Sequence, residues 1–411
     1  MLNRFKIVFL IAIAVAALVT NGEPSAAKRQ ASISVAAGDH DRYETVVSFA
    51  LPAEFKGESY ALRDAAGQLI PLQIDSERNA SFVLPSLKAA QTEKYQIVVS
   101  GSKPKPDVDV TQKKPNGLDL KIAGRSVFTF VTKPSGLPSD DIKPVFLRGG
   151  YIHPVFTPSG RLVTDDYPSD HYHHHGIWFA WTKTEFDGAH PDFWNVGDGT
   201  GRVDFEGVYG ASSGPVYAGF KARQRYVALS GKAPKTALNE QWDVRLYNVG
   251  QGDNGQRYYL FDIVATQQCA SDSPLILEEY RYGGMGVRGH RNWRDKSKVS
   301  FLTSDGKTRE SGNATKARWI HMSGIVDRQT VGIAVLDHPG NFRSPQPLRI
   351  HPDDPYFNFA PSQLGRFEIK PGGKYVVRYR YVVADGPPDK AELDRLWSDY
   401  AAPPQVSLEL K

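Results

Sequence analysis

The sequence is poor in several features that mark common classes of protein. Only one of its 411 residues is a cysteine, Cys269, so no disulfide can form within the chain. A formal charge of +5 is small for this length and does not indicate the concentrated basic face that binds nucleic acid. No apolar run reaches the roughly 20 residues that a membrane-spanning helix needs. We therefore expect no disulfide scaffold, no nucleic-acid partner and no integral membrane protein.

The N-terminus has the pattern of an export signal. Arg4 and Lys6 precede an apolar run over 7–19, and small residues at 25–27 suit cleavage. We predict that residues 1–27 are removed and that the mature protein is periplasmic or secreted, without stable insertion in a membrane. Removal takes away two basic residues and one acidic residue, so the formal charge falls from +5 to +4. A single cysteine in an exported chain fits a periplasm-like compartment and a core that needs no disulfides.

Helical periodicity is almost absent, and short alternating runs dominate. In 240–246 and 375–383 every second residue is apolar, which is the period of a strand with one buried face. The 37 glycines and 28 prolines are spread between such runs, as turns are in an all-β chain. Only 390–400 has the pattern of a helix. The sequence therefore predicts an all-β protein with one short C-terminal helix.

A chain of this length exceeds what one hydrophobic core normally supports, so we predict two domains. Residues 28–101 have the short runs of a small Ig-like β-sandwich. Two prolines and no apolar residue in 101–106 indicate a linker. Residues 107–402 are mostly strand without βαβ alternation, which predicts two large antiparallel sheets packed face to face.

Histidine is concentrated in one region of the chain. Six of the eleven histidines lie in 153–190, and four of these fall within 171–175. Imidazoles titrate near neutral pH and are the commonest metal ligands, so the crowding points to a site. On a strand, His171 and His173 would project to one face and His174 to the other. We take His173 and His174 as candidates for the general base or acid.

A metal site is the alternative explanation of the same run. His171 and His173 form a His-x-His pair that offers two imidazoles to one ion, and Asp170, Asp166 or His153 would add a further ligand. The leading hypothesis requires no cofactor. The alternative requires a divalent metal.

A glycine-rich segment over 279–288 holds further candidates. On a strand, Glu279 and Arg281 share a face, which places a carboxylate beside a guanidinium. We take Glu279 as a partner carboxylate in catalysis, and Arg281 with Arg288 as groups that neutralise a carboxylate or oxyanion of the substrate. An ion pair on a solvated face explains the same pattern without function.

Other candidates for substrate binding are distributed along the chain. Aromatic rings next to carboxylates and amides suit sugars, whose C–H faces stack on rings while their hydroxyls bond to polar groups. The candidates are His153, Asp192, Trp194, His338 and Tyr356. Ordinary turns and core aromatics explain each of them equally well when taken alone.

Several separate motifs together resemble a known bacterial group. They are Tyr-Ile-His-Pro at 151–154, Asp-His-x-His-His at 170–174, Glu-x-Arg-Tyr-Gly-Gly at 279–284 and Asp-His-Pro at 337–339. In this combination the chain resembles the PmoA family proteins, a domain of unknown function, over about residues 120–400. It departs from that group at two positions, with Tyr172 where the group tends to have Pro and His175 where it tends to have Arg.

The name of that group suggests a subunit of methane monooxygenase, which is an integral membrane protein. This chain has no spanning helix after its predicted signal, so we reject that activity. The resemblance implies instead an exported protein similar to the galactose-mutarotase-like supersandwich, a fold of many carbohydrate enzymes.

Our leading hypothesis is an exported carbohydrate-active enzyme of hydrolase, lyase or epimerase type, which binds a carbohydrate substrate in a His-rich cleft. A His-ligated metalloenzyme and a noncatalytic glycan-binding module are the alternatives. The sequence leaves the sugar, the bond and the oligomeric state open.

Overall fold

The computed structural model describes residues 31–55, 59–101, 105–134, 136–252 and 255–410. The predicted export signal and part of the predicted linker lie outside these residues. The predicted fold class is confirmed, because strands dominate and include two antiparallel sheets of eight strands each. Neither α-helix of the described residues is long and apolar enough to cross a membrane.

The regular elements follow one another along the chain as short strands with few helices. The first fifteen strands are β1 Ala31–Ala36, β2 Arg42–Ala50, β3 Tyr60–Arg63, β4 Leu69–Pro71, β5 Gln73–Ile74, β6 Asn79–Leu87, β7 Thr92–Val99, β8 Val108–Lys113, β9 Gly117–Ile122, β10 Arg125–Val131, β11 Tyr151–Val155, β12 Ile177–Ala180, β13 Thr184–Glu185, β14 Gly201–Ser212 and β15 Tyr217–Ala228. The other strands are β16 Lys235–Tyr247, β17 Gln251–Gly252, β18 Gly255–Gln256, β19 Tyr258–Cys269, β20 Leu275–Leu277, β21 Gly284–Arg288, β22 Val299–Thr303, β23 Trp319–Val326, β24 Gln329–Asp337, β25 Leu348–Ile350, β26 Tyr356–Phe359, β27 Phe367–Ile369, β28 Tyr375–Asp385 and β29 Gln405–Leu410. The α-helices are α1 Arg309–Gly312 and α2 Lys390–Ala401, and short 3-10 helices cover Pro144–Phe146, Arg291–Trp293, Lys296–Lys298 and Pro361–Leu364.

The first seven strands form two small antiparallel sheets around their own core. One sheet has the order β29-β1-β7-β3-β4 and the other β2-β6-β5. Buried side chains such as Ile33, Phe82 and Tyr95 fill the space between them. Strand β29 comes from the C-terminus, and its Val406 and Leu408 pack against this core. The sequence analysis assigned nothing beyond residue 402, because the pairing of a terminal strand with β1 leaves no local pattern.

Two eight-stranded sheets form the larger part of the molecule. Sheet A has the order β25-β26-β21-β12-β11-β10-β9-β8, and sheet B the order β14-β15-β16-β19-β28-β24-β23-β22. Their inner faces meet through aromatic rings, with centroids 4.7 Å apart for Phe128 and Phe261. The alternation predicted in 240–246 is confirmed, since Trp242, Val244 and Leu246 are fully buried on the inner face of sheet B.

The outer face of sheet B is covered by the C-terminal helix. The predicted helix is confirmed as α2, which begins after Asp389, whose side chain accepts a hydrogen bond from the Glu392 backbone N–H at 3.0 Å. Its Leu393 and Leu396 share a buried cluster with Trp319 and other residues of sheet B. Val46 and Val83 of the N-terminal sheets pack against the same cluster. In the part of the chain that the structure describes, no such helix covers the outer face of sheet A, and the groups there face loops and solvent.

Glu240 is a carboxylic acid buried between the two large sheets. It lies in a row of direct neighbours with Gln224 and Gln267 across β15, β16 and β19. The Gln267 side-chain amide donates to Glu240 Oε1 at 2.7 Å, and among the described residues Glu240 Oε2 has no partner. Burial raises the pKa of Glu240 to about 7, although the hydrogen bond from Gln267 opposes the shift.

We expect Glu240→Gln to make the protein less sensitive to rising pH. A carboxyl whose pKa is raised on folding holds its proton more firmly in the folded state, so ionisation between its unfolded pKa of about 4.5 and its folded pKa of about 7 lowers the free energy of unfolding. Relative to wild type, the variant should gain about 2 kcal/mol between pH 5 and pH 8, measured by urea denaturation. Glu206→Gln, at an exposed position of β14, is the control. An equal difference from wild type at both pH values would contradict the assignment.

Candidate functional site

Strand register decides which side chains lie on the outer face of sheet A. One row of direct neighbours across β12, β21, β26 and β25 consists of Trp178, Gly286, Asn358 and Arg349. A second row consists of Arg288, Tyr356 and His351. Successive residues of a strand alternate between faces, and Phe359 of β26 faces inward, 5.3 Å from the ring of Tyr379 in sheet B. Both rows therefore lie on the outer face.

A layer of buried rings covers this face. We call it the aromatic layer, and it consists of His174, Trp178, Trp194 and Tyr356, each at most 3% exposed. The Trp178 ring lies 4.9 Å from both His174 and Trp194, and His174 lies 4.9 Å from Tyr356. A Cβ at Gly286 would lie 3.0 Å from the rings of Trp178 and Trp194. Glycine at this position lets both indoles lie directly against the strand.

The histidine run is a turn and not the start of a strand. The His174 backbone N–H donates to the His171 carbonyl at 2.9 Å, and β12 begins only at Ile177. The predicted separation of His171 and His174 onto opposite faces is therefore wrong. Their rings stack, with 4.7 Å between centroids and 5° between planes, and His173 meets His174 edge-on at 4.6 Å. Pro, Ser and Asp at 168–170 favour a turn, which explains the difference.

Arg288 is the charged centre of the site. Its side chain has no exposed surface, and its Nη2 donates to both carboxylate oxygens of Asp170, at 2.9 and 3.1 Å. Its Nη1 lies 3.3 Å from His174 Nδ1 and 3.9 Å from an oxygen of Asp354. A guanidinium has only donors, so His174 Nδ1 accepts and the proton of this neutral ring sits on Nε2. Burial, and then the charges of neighbouring groups including Arg288, hold the pKa of His174 well below its usual value.

Three accessible groups lie above the aromatic layer, and we call them the surface triad: His171, His351 and Asp354. Their side chains are 30%, 22% and 13% exposed. Asp354 Oδ2 lies 3.5 Å from His171 Nδ1 and 3.1 Å from His351 Nδ1, and one ligand atom from each of the three lies within 4.8 Å of the others. The Asp354 backbone N–H donates to His351 Nδ1 at 2.9 Å, which leaves His351 Nε2 available to a ligand.

Burial also shifts the ionisation of the groups in and beside the triad. It raises the pKa of Asp354, and the neighbouring Asp170 adds to the shift. It lowers the pKa of His351 to about 4, with a contribution from the charge of Arg349, and it lowers the pKa of His173 to about 3. Neutral imidazoles beside carboxylates can accept a proton or bind a cation, which are the two chemistries that this arrangement offers.

The predicted sugar-binding residues Asp192 and Trp194 belong to one loop beside the aromatic layer. Asp192 Oδ1 accepts the backbone N–H groups of Trp194 and Asn195, both at 2.9 Å, so its carboxylate holds the loop in shape. The Tyr282 hydroxyl donates to Asn195 Oδ1 at 3.1 Å, and its ring lies 5.5 Å from Trp194. Trp194 is only 2% exposed, so the partly exposed Tyr282 forms the surface of this region.

Glu279 and Arg281 do not form the predicted pair. Strand β21 begins only at Gly284, so residues 279 and 281 do not share a strand face. Within the described residues no ion pair joins their side chains, and both are exposed. The Arg281 guanidinium instead lies over the rings of Tyr280 and Tyr282, at 5.6 and 5.7 Å from their centroids. Arg281 thus stays beside the site, while Glu279 faces solvent.

Two predicted binding histidines lie away from the surface triad. His153 Nδ1 contacts the Thr164 hydroxyl at 2.9 Å, and the charges around it include Asp165, Asp166 and Arg291. His338 follows β24 of sheet B, and its ring lies 4.8 Å from Tyr400 of α2. The Asp-His-Pro motif is thus a strand end beside the C-terminal helix, on the opposite side of the two-sheet core from the aromatic layer.

Residues 117–398 match the family of unknown function DUF6807, which covers more than half of the sequence. The chain belongs to the DUF6807 family. The description of this family does not include the name PmoA, so the resemblance of the motifs to the PmoA family proteins is not shown by the match. No curated protein matches the sequence.

The comparison with solved structures gives a low-identity match for this DUF6807 protein. It is a protein in the glycosyl hydrolase family 38 from Enterococcus faecalis, at 10% sequence identity and a TM-score of 0.41. The match covers 93% of this chain and 48% of the other, so the chain spans about half the length of the structure it matches.

The residues predicted from sequence include part of the cluster on the outer face of sheet A, and other members of the cluster were not predicted. The predicted members are His171, Arg288 and Tyr356, which the structure brings together. The others are Arg349, His351 and Asp354, which stand on or just after the three-residue strand β25. A signal was present in His-Pro-Asp-Asp-Pro at 351–355, where an imidazole and two carboxylates stand in a proline-bounded loop.

We expect Arg288→Met to lower the free energy of unfolding by about 3 kcal/mol, because it leaves Asp170 and His174 without the buried partner that they share. Equilibrium denaturation in urea measures the change. Arg294→Met is the matched control, since Arg294 also contacts Asp170, at 3.2 Å, but is 40% exposed and should contribute less than about 1 kcal/mol. Equal losses in the two variants would contradict the central role of Arg288.

Proposed function

We propose that this protein is an exported carbohydrate-active enzyme of hydrolase, lyase or epimerase type, which binds a sugar over the outer face of sheet A. One observation carries the proposal. The accessible imidazoles and carboxylate of the surface triad stand on the same face as partly exposed tyrosine rings, above a rigid aromatic layer.

The aromatic layer supports the proposal by fixing the groups above it. The His171 ring stacks on His174, which is itself held by Arg288 and Tyr356. Reacting groups need such support, because small displacements of a catalytic group cost much of the rate. The exposed edges of Tyr280 and Tyr282 offer apolar surface of the kind that packs against a sugar ring.

The surface triad supplies the proton-transfer groups in this proposal. His171 Nδ1 lies 3.4 Å from Asp170 and 3.5 Å from Asp354, so two carboxylates stand within reach of the imidazole that would transfer the proton. His351 offers Nε2 on the other side of Asp354. Hydrolysis, elimination and epimerisation all require such a base and acid pair, and the proposal leaves the choice among them to experiment.

The residues predicted as catalytic take different places in this proposal. His174 positions His171, because its buried ring stacks on the ring of His171 and is itself held by Arg288. His173 borders a narrow cavity with Trp194 and Arg148 and faces the triad edge-on, 5.5 Å from His171. Arg281 contributes a positive charge beside the tyrosine rings, and Glu279 stands outside the reacting groups.

We expect His171→Ala and His351→Ala each to reduce turnover at least a hundredfold, because each removes a proton-transfer group. The measurement is product formation by NMR from a panel of neutral and acidic oligosaccharides. His40→Ala is a matched control, because His40 lies between β1 and β2, away from the surface triad. Its imidazole is 28% exposed and also contacts a carboxylate, that of Asp399 in α2, at 3.1 Å. Melting temperatures should stay within a few degrees of wild type in all three variants.

Two outcomes would count against the enzyme. Full turnover in both His171→Ala and His351→Ala would remove the surface triad from the reaction. Saturable binding of a glycan by wild type with no product from any member of the panel would favour the noncatalytic glycan-binding module.

A metalloenzyme is the second candidate, and the spacing of the surface triad favours it. Two imidazoles and a carboxylate are ligands that Zn²⁺ and related divalent ions accept. His171 Nδ1 is buried and makes no hydrogen bond among the described residues, although two carboxylates lie near it. An ion between these groups would satisfy that nitrogen. The ligand set then contains His171, as predicted, with His351 and Asp354 in place of His173.

We expect untagged protein purified without chelator to carry about one divalent metal ion per chain if the second candidate holds. His171→Ala and Asp354→Asn should lose most of it, while His173→Ala keeps it, because His173 lies outside the three-residue group. Elemental analysis by mass spectrometry gives the content. If the wild-type protein contains no metal and still has full turnover, the metalloenzyme is rejected. The enzyme that transfers protons without a metal is then the remaining candidate.

A further inference from the structure

Arg349 is a half-buried cation on the outer face of sheet A, and no described residue forms an ion pair or hydrogen bond with its guanidinium. Its place in the row with Trp178, Gly286 and Asn358 puts the side chain on the same face as the surface triad. Its Nε is buried and makes no hydrogen bond among the described residues. Buried guanidinium nitrogens are nearly always satisfied in native proteins, since leaving them unpaired costs free energy.

Arg281 places a second unpaired cation beside Arg349. Its guanidinium lies over Tyr280 and Tyr282. The Gln363 side-chain amide donates to the carbonyls of Arg281 and Leu348, at 2.9 and 3.2 Å, which brings Arg281 beside β25 and Arg349. Burial lowers the pKa of Arg349, and the charge of Arg281 adds to this shift. Lys183 also lies over the Tyr280 ring, 5.6 Å from the centroid. No carboxylate of the described residues lies within 4.0 Å of the Arg281 or Arg349 guanidinium.

Other arginines around the site are paired with acids. Arg288 and Arg294 both contact Asp170, Arg291 contacts Asp165, and Arg366 contacts Glu278. Arg148 and Arg309 have no acid partner among the described residues, but their guanidinium groups donate to backbone carbonyls. Arg281 and Arg349 differ from them, because within the described part of the chain their guanidinium groups have neither an acid nor a hydrogen-bond acceptor. Two like charges held near each other without an anion repel, and an arriving anion removes that cost.

We propose that Arg281 and Arg349 form a subsite for an anionic group on the sugar, so that the substrate is an acidic carbohydrate bearing a carboxylate or a sulfate ester. This inference rests on the proposed function, since the subsite lies on the same face as the surface triad. Arg349 lies next to His351 along that face, which puts the anionic group close to the proposed reacting centre. The tyrosine rings beneath Arg281 hold its guanidinium without neutralising it.

The test compares sugars that share a ring and differ only in charge. Glucuronate and galacturonate are the carboxylate probes, glucose 6-sulfate and galactose 6-sulfate the ester probes, and glucose and galactose the neutral probes. Isothermal titration with the full wild-type protein should show at least tenfold tighter binding for one anionic class than for the neutral parents. The preferred class then identifies the anion.

Arg349→Met should remove this preference and leave binding of the neutral parents within twofold. Arg281→Met should also weaken the binding of the anionic sugars. Because Arg281 is exposed, this variant provides the test if Arg349→Met does not fold. Arg366→Met is the control, because Arg366 is exposed and paired with Glu278, and it should change nothing.

Different results of this titration would overturn the anion subsite and the proposed function. Equal binding of neutral and anionic sugars, unchanged by either variant, overturns the anion subsite while the carbohydrate proposal stands. Absence of binding for all six sugars overturns both. Tight binding of sulfate ion alone, with no contribution from any sugar ring, would overturn the acidic-carbohydrate substrate.

Discussion

The buried guanidinium of Arg288 organises the outer face of sheet A. It pairs with Asp170, approaches Asp354 and fixes His174 as a neutral acceptor, and these groups in turn hold the surface triad. A charge with no exposed surface needs acceptors for its donors, and Nη1 and Nη2 of Arg288 have them, while Nε makes no hydrogen bond among the described residues. The loop before β12 and the loop after β25 supply those acceptors, so one side chain at the end of β21 connects two loops that are far apart in sequence.

The fold explains why chemistry-bearing groups collect on this face. The inner faces of both large sheets are filled by aromatic and aliphatic side chains, and α2 with the N-terminal strands covers the outer face of sheet B. The outer face of sheet A is left for polar function, and Gly286 lets two indoles lie flat on it. Polar groups above this layer are both supported and accessible, and two arginines there have no acid partner among the described residues.

Much of the fold was readable from local pattern, whereas the site was readable only in part. Alternation in 240–246 and 375–383 predicts strands because burial of one face imposes a period of two. The crowding of histidines lies in a loop that reaches the outer face of sheet A, but the turn at 168–170 outweighed the strand tendency and stacked His171 on His174. Arg349 and His351 were not predicted because β25 is only three residues long, and its place on this face depends on the pairing of β26 with β21, which is distant in sequence and leaves no local trace.

Imidazole NMR of the nitrogen-labelled protein tests most directly whether a sugar binds at this face. Glucuronate or glucose 6-sulfate, added to saturation, should shift the side-chain signals of His171 and His351 and leave those of His40 and His338 unchanged, since these two lie at the N-terminal sheets and beside α2. Shifts confined to His338, or saturable binding with no change at His171 and His351, would contradict the account.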